Sequence, residues 1–170
     1  INTIKKFLSE SQEAINILKE NKDLLIAINK IAFEIQKCLI SGGKIIFAGN
    51  GGSFSDAQHI TAEFVCKFAT DRNPLPAITL GTNSSNLTAI GNDYGFEYIF
   101  SRQIECMASI NDILLCFSTS GKSKNIINVL QKAKTLNIQA ILITGDNYFD
   151  ETNDFVYYSV GEKEGRRIQE

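Results

Sequence analysis

The stretch KIIFAGNGGSFSDAQHITAEF, residues 44–64, decides how this chain is read. It opens with a short apolar run, KIIFA, that stops at Gly49. A turn follows with Gly51 and Gly52, where the backbone can take positive φ or come close to a ligand. From about Ser53 the apolar residues recur at helical spacing. Strand, glycine turn and helix in twenty-one residues predict the first unit of an alternating α/β chain. The rest keeps that rhythm. Further strands are predicted at AITL (77–80), DILLCF (112–117), QAILIT (139–144) and DFVYYSV (154–160). Helical patterns cover 53–67, 95–108 and 123–136. Apolar strands alternating with helices imply a parallel sheet with both faces covered. TDRNPLP, residues 70–76, holds both prolines and reads as a loop.

Ahead of this unit, residues 1–40 are helical in pattern. Ile4, Phe7/Leu8, Ala14/Ile15 and Leu18 mark one apolar stripe. Leu25, Ile28, Ile31/Ala32, Ile35 and Cys38/Leu39 mark a second, which Gly42 and Gly43 end. These helices are expected to cover the sheet or to serve an oligomer interface. The chain has 170 residues, of which 44% are hydrophobic and 21% charged. That composition is ordinary for a globular domain, and the length buries a core without staples. Lys plus Arg number 17 against 19 Asp plus Glu, with no long basic run, which argues against nucleic acid as a partner. No apolar run reaches the ~18 residues of a membrane span. Cys38, Cys66, Cys106 and Cys116 form no C-x-x-C pair, and each is expected to be a buried, reduced thiol of a cytosolic protein.

In a parallel sheet of this kind, ligands bind beyond the carboxyl ends of the strands. Two predicted strand ends carry unusual chemistry: GNGGS (49–53) and STSGKS (118–123). In the second, Ser118, Thr119, Ser120 and Ser123 surround Gly121 just before a helix. Such a helix start presents unpaired N–H groups and a positive dipole end, which suit phosphate. It could equally be a capped helix start, with Ser120 or Ser123 as the cap. Neither loop is a standard nucleotide motif. Cys116 stands where a P-loop needs its first glycine, and Phe54 where the dinucleotide fingerprint needs its third.

The helix after the glycine turn sets Asp56, His59 and Glu63 on one face, at i, i+3 and i+7. A lone histidine on a helix is usually structural. A His and a carboxylate on successive turns can also bind a divalent metal. A glutamate near a bound sugar carbonyl can remove a proton from one carbon and return it to the next. The pattern therefore suggests a sugar phosphate held at the serine loop and isomerised at Glu63.

At this point the residues carry a resemblance. SGGKIIFAGNGGSFSDAQHITAEF, AIGNDYGFEYIFSRQIE, STSGKSKNIINVL and the final RIQE are similar to the sugar isomerase (SIS) domain of the phosphoheptose isomerase family. The resemblance implies a five-stranded parallel sheet flanked by helices, a flavodoxin-like three-layer sandwich. Residues 1–43 would form an N-terminal helical arm and residues 44–170 the SIS domain. It implies a cytoplasmic homotetramer with active sites between subunits, isomerising sedoheptulose 7-phosphate to D-glycero-D-manno-heptose 7-phosphate for surface glycans. Asn50, Gly51, Gly52 and Ser53 match the family's substrate loop, Asn92 and Asp93 its sugar-contacting pair. Ser118, Thr119, Ser120 and Ser123 match its phosphate cradle, and Glu63 its catalytic base. His59, Glu63 and Gln169 match three ligands of one zinc per subunit, with Gln169 also at the substrate. The family's fourth zinc ligand is a histidine, so the resemblance implies a helix beyond Glu170 carrying a histidine about two turns past Gln169. Cys66-Lys67 stands where a Gly-Arg pair is common.

Two other readings belong to different classes. A non-catalytic SIS tetramer that binds a regulatory partner has similar motifs but lacks the glutamate that Glu63 supplies here. A sugar-phosphate sensor joined to a DNA-binding domain would need a helix-turn-helix segment or basic face that the sequence does not display.

Overall fold

The computed structural model describes residues 1–145 and the strand at 156–159. Two helices come first, α1 (Asn2–Glu20) and α2 (Lys22–Ile40). Asn21 separates them by capping α2, its side chain accepting from the Leu24 amide at 3.0 Å. The chain then alternates: β1 (Ile45–Ala48), α3 (Gly52–Val65), β2 (Ala77–Thr79), α4 (Ser84–Asp93), α5 (Ser101–Met107), β3 (Ile113–Ser118), α6 (Lys124–Thr135), β4 (Gln139–Thr144) and β5 (Val156–Ser159). A short 3-10 turn, Phe96–Tyr98, precedes α5. The five strands form one parallel sheet in the order β2-β1-β3-β4-β5. All five lie where the apolar runs predict them.

Strand side chains alternate between faces, so each strand feeds two cores. Ile46, Ala48, Leu114, Cys116 and Leu142 pack beneath α5 and α6, with Ile104, Ile126, Val129 and Leu130. Ile45, Phe47, Ile113, Leu115, Phe117 and Ile141 pack on the opposite side, against Cys38 of α2 and Ala57 of α3. Phe47 stacks on Phe117 at 6.2 Å between ring centres and meets Phe64 edge-on at 5.8 Å. At the amino ends of β1 and β3, buried Asp112 accepts from the Lys44 amide (2.9 Å), the Lys44 ammonium (2.5 Å) and the Ser109 amide (2.7 Å). That carboxylate locks the central pair of strands in register.

Three details differ from the sequence reading. The segment 95–108 is not one helix: Gly95, at φ 105, precedes the 3-10 turn, and α5 begins only at Ser101. Helix α4 was not anticipated, because SSNLTAIGND offers only Leu87 and Ile90 to the core and buries no residue fully. Cys38 and Cys116 are buried, the latter with its thiol pKa pushed up by desolvation, but Cys66 and Cys106 are exposed. Helix α1 buries no residue, and α3 buries only Ser53 and Ala57.

Candidate active site

The strand order reverses direction of growth between β1 and β3, the switch point where doubly wound sheets open a crevice. Ala48 pairs in register with Cys116 there, so GNGGS and STSGKS leave neighbouring strand ends. The first turn is tight. A β-carbon on Gly49 would lie 2.4 Å from the Ser53 carbonyl oxygen. Gly51, at φ 57, occupies the N-cap of α3 in a conformation that suits glycine.

In the second loop the hydroxyl of Ser118 accepts from the Gly121 amide at 3.1 Å, and that of Ser120 from the Lys122 amide at 3.2 Å. Gly121, at φ 63, makes the bend. Ser123 occupies the N-cap position of α6, but its hydroxyl makes no capping hydrogen bond. A loop built only to start a helix would use that hydroxyl. Here it stands at the edge of a cleft of about 430 Å³, lined by Asn50, Gly51, Phe96, Glu97, Ser123, Lys124 and Asn125. That volume suits a small ligand. Lys122 and Lys124 flank the helix start and add positive charge to its dipole end.

A second hollow, about 510 Å³, lies over α5 and α6 between Tyr94, Tyr98, Arg102 and Lys132. It is the larger, but Arg102 stacks on Tyr94 at 3.9 Å and Lys132 pairs with Glu105 at 3.4 Å. The smaller cleft is the better candidate because it joins both unusual loops at the strand ends.

The structure thus brings Asn50 and Gly51 together with Ser123, next to Gly52, Ser53, Ser118, Thr119 and Ser120. Asn92 and Asp93 end α4, where the Asn92 amide donates to Asp93 at 2.8 Å. The turn after them carries Phe96 and Glu97 into the cleft. His59 and Glu63 lie elsewhere. Glu63 is eleven residues past Gly52, about 16 Å along the helix axis. The carbonyl of neighbouring Phe64 accepts from Leu75, just before β2 begins, so this end of α3 lies at the amino ends of the strands. Within one chain Glu63 does not face the cleft.

The pair itself can share an ion. His59 Nε2 stands 3.6 Å from Glu63 Oε1, with side chains 75% and 29% exposed. Two ligands each about 2.1 Å from a tetrahedral zinc stand about 3.4 Å apart. Among the described residues, no group of three or more His, Cys, Asp and Glu side chains is placed to hold a metal, and Gln169 lies outside the described residues. The helix therefore offers half a site. Its end is braced by Arg72, which donates to the carbonyls of Glu63 at 2.6 Å and Phe64 at 2.9 Å.

Sequence reasoning missed Arg72, Phe96, Glu97 and Asn125. Asn125 left one signal: it is a polar residue at a position of α6 that the helical pattern turns inward.

The chain is similar to known proteins over most of its length. A family model described as the SIS domain matches residues 6–145. The phosphoheptose isomerase of Burkholderia pseudomallei is 44% identical over 139 residues, covering 82% of this chain and 71% of that protein. That of Campylobacter jejuni is 45% identical over 145 residues, 85% and 76% of the two chains. A solved phosphoheptose isomerase from Francisella tularensis superposes with a TM-score of 0.89 at 33% identity, over 99% of this chain and 89% of that one. On residues matched, identity and shape together, the chain belongs to the phosphoheptose isomerase family of SIS-domain proteins.

Proposed function

We propose that this chain is an aldose–ketose isomerase that converts sedoheptulose 7-phosphate to D-glycero-D-manno-heptose 7-phosphate. One observation carries the site assignment: the hydroxyl of Ser123, at the N-terminus of a twelve-residue helix, is not spent on capping and borders the cleft. The phosphate sits on that helix start, held by Ser118, Thr119, Ser120 and Ser123. Asn50, Gly51, Gly52 and Ser53 contact the sugar from the glycine turn, and Asn92 and Asp93 from the end of α4. Glu63 takes a proton from C1 of the ketose and returns it to C2. A proton passes from O1 to O2 in the same conversion, so product and substrate have the same composition.

Glu63 reaches the sugar from a second copy of the chain. The separation along α3 supports this, since no extended seven-carbon sugar phosphate anchored at its own cradle spans it. A homotetramer supplies such copies. Residues 1–43 act as the assembly arm, in keeping with Ile4, Phe7, Leu8 and Ile15 of α1, which are all more than half exposed. His59 and Glu63, together with Gln169, would hold a zinc ion, which would supply Lewis-acid chemistry at the sugar. No helix among the described residues is long and apolar enough to cross a membrane, and we place the enzyme in the cytoplasm.

The test is incubation of the full-length protein with sedoheptulose 7-phosphate, with and without added zinc, following the aldose product by NMR. Turnover is expected. No turnover under any metal condition would end the isomerase reading. The cradle has its own test. Ser118→Ala, Ser120→Ala and Ser123→Ala should each weaken sugar-phosphate binding by about 1.5–3 kcal/mol, the worth of a hydrogen bond to a charged group. Calorimetry with the unphosphorylated sugar should detect little change. Equal losses for both ligands would make the loop a helix start and nothing more.

A further inference from the structure

Asn125 is only 2% exposed, at the second position of α6. It faces Asn50, 75 residues earlier, in a reciprocal amide pair. Asn50 Nδ2 donates to Asn125 Oδ1 at 2.9 Å, and Asn125 Nδ2 donates to Asn50 Oδ1 at 2.8 Å. Two hydrogen bonds between planar groups fix both side chains in place and orientation. The pair joins the turn after β1 to the start of α6, the two walls of the 430 Å³ cleft. Each Asn50 atom facing Asn125 is committed to it, which leaves Asn50 one N–H and one lone pair for a ligand.

We propose that Asn125 is a positioning residue: the Asn50–Asn125 amide pair sets the separation of the glycine turn and the phosphate cradle, and so the fit of the sugar phosphate. This rests on the sugar-phosphate reading of the cleft. An amide is required at 125. Alanine removes both hydrogen bonds. Aspartate keeps the shape and one acceptor but cannot donate to Asn50, and it sets a negative charge beside the phosphate position. A one-ångström slip between loops is enough to cost about 100-fold in a positioned reaction.

The test uses the full chain as wild type, Asn125→Ala, Asn125→Ser, Asn125→Asp, Asn50→Ala and the Asn50→Ala/Asn125→Ala double variant. Asn125→Ala should raise KM for sedoheptulose 7-phosphate about 10-fold or more, with a smaller change in kcat and unfolding that stays cooperative. The double variant should lose no more than the worse single one, because the two amides act as a unit. A residue serving stability alone would lower the melting temperature and leave KM unmoved, and that result overturns the proposal. So do additive losses. Should Asn125→Ala fail to fold, Asn125→Ser, which adds no charge and is too short to complete the reciprocal pair, gives the same reading and should raise KM about as far. A wild-type protein without turnover ends the isomerase reading instead. The pair is then judged in a crystal structure of the folded Asn125 variant, where a displaced 49–53 turn supports it and an unmoved Asn50 overturns it.

Discussion

Replacing Glu63 by Gln is expected to reduce turnover of sedoheptulose 7-phosphate by about 100-fold or more, the usual worth of a positioned acid/base group. Glutamine keeps the length, shape and hydrogen-bonding capacity of the side chain but cannot take a proton from carbon. The change should stay local. Arg72 holds the backbone carbonyls of Glu63 and Phe64 from outside the helix, and neither hydrogen bond depends on the carboxylate. The Glu63 side chain is 29% exposed, so stability should move by no more than about 0.5 kcal/mol. Sugar-phosphate binding should persist, because the proposed cradle, residues 118–123, lies on other elements. Glu63 stands 3.6 Å from His59, so the substitution removes a proposed metal ligand together with the proposed base. Metal content of the purified variant separates the two. A variant that keeps its zinc and still loses turnover identifies the base. Near-normal turnover would move proton transfer to another group.

The sheet was legible because each strand is a short, almost wholly apolar run. IIFA and ILLCFS are buried at every position, as a strand covered on both faces must be. Helix α4 was not legible, because a ten-residue surface helix with only two core contacts leaves no period to read. What marks it is its cap, Asn83, which accepts from the Asn86 amide at 3.0 Å. The cysteines misled for a related reason. Cys66 and Cys106 sit in apolar surroundings along the sequence, yet they fall at or near helix ends that the core does not cover. The two loops that border the cleft stood out in composition, as runs of glycine and serine at predicted strand ends. Their tether was not. Asn50 and Asn125 are 75 residues apart, and only the register of β1 beside β3 brings their loops together. The same holds for Glu63. Residue spacing places it on one helical face with His59 but does not say that α3 carries that face away from the cleft.

Gly49→Ala should be the most damaging small change in the glycine turn. Its β-carbon would lie 2.4 Å from the Ser53 carbonyl oxygen, 2.6 Å from the carbonyl carbon and 3.0 Å from the Phe54 amide. All three are backbone atoms, so no side chain can rotate to make room. Ser53 is itself only 7% exposed, in the first turn of α3. Relief requires the turn or the helix start to move, and the Asn50–Asn125 pair resists the first of these. Overpacking of this kind costs about 1–3 kcal/mol, and the residual displacement falls on Asn50, Gly51, Gly52 and Ser53. We expect a lower urea midpoint together with a loss of about 100-fold in kcat/KM for sedoheptulose 7-phosphate. The neighbouring glycines calibrate the result. At Gly52 an added β-carbon meets nothing within 4 Å, so Gly52→Ala should unfold close to the wild-type midpoint. At Gly51 the space is also open, but φ is 57 with ψ −120, and alanine there should cost about 1–3 kcal/mol from backbone strain alone. The expected urea midpoint is therefore highest for Gly52→Ala, with Gly51→Ala and Gly49→Ala both lower. A Gly49→Ala protein with wild-type midpoint and wild-type kcat/KM would mean that the 49–53 turn yields without harm, and that close packing of the turn on α3 does not hold the substrate loop in place.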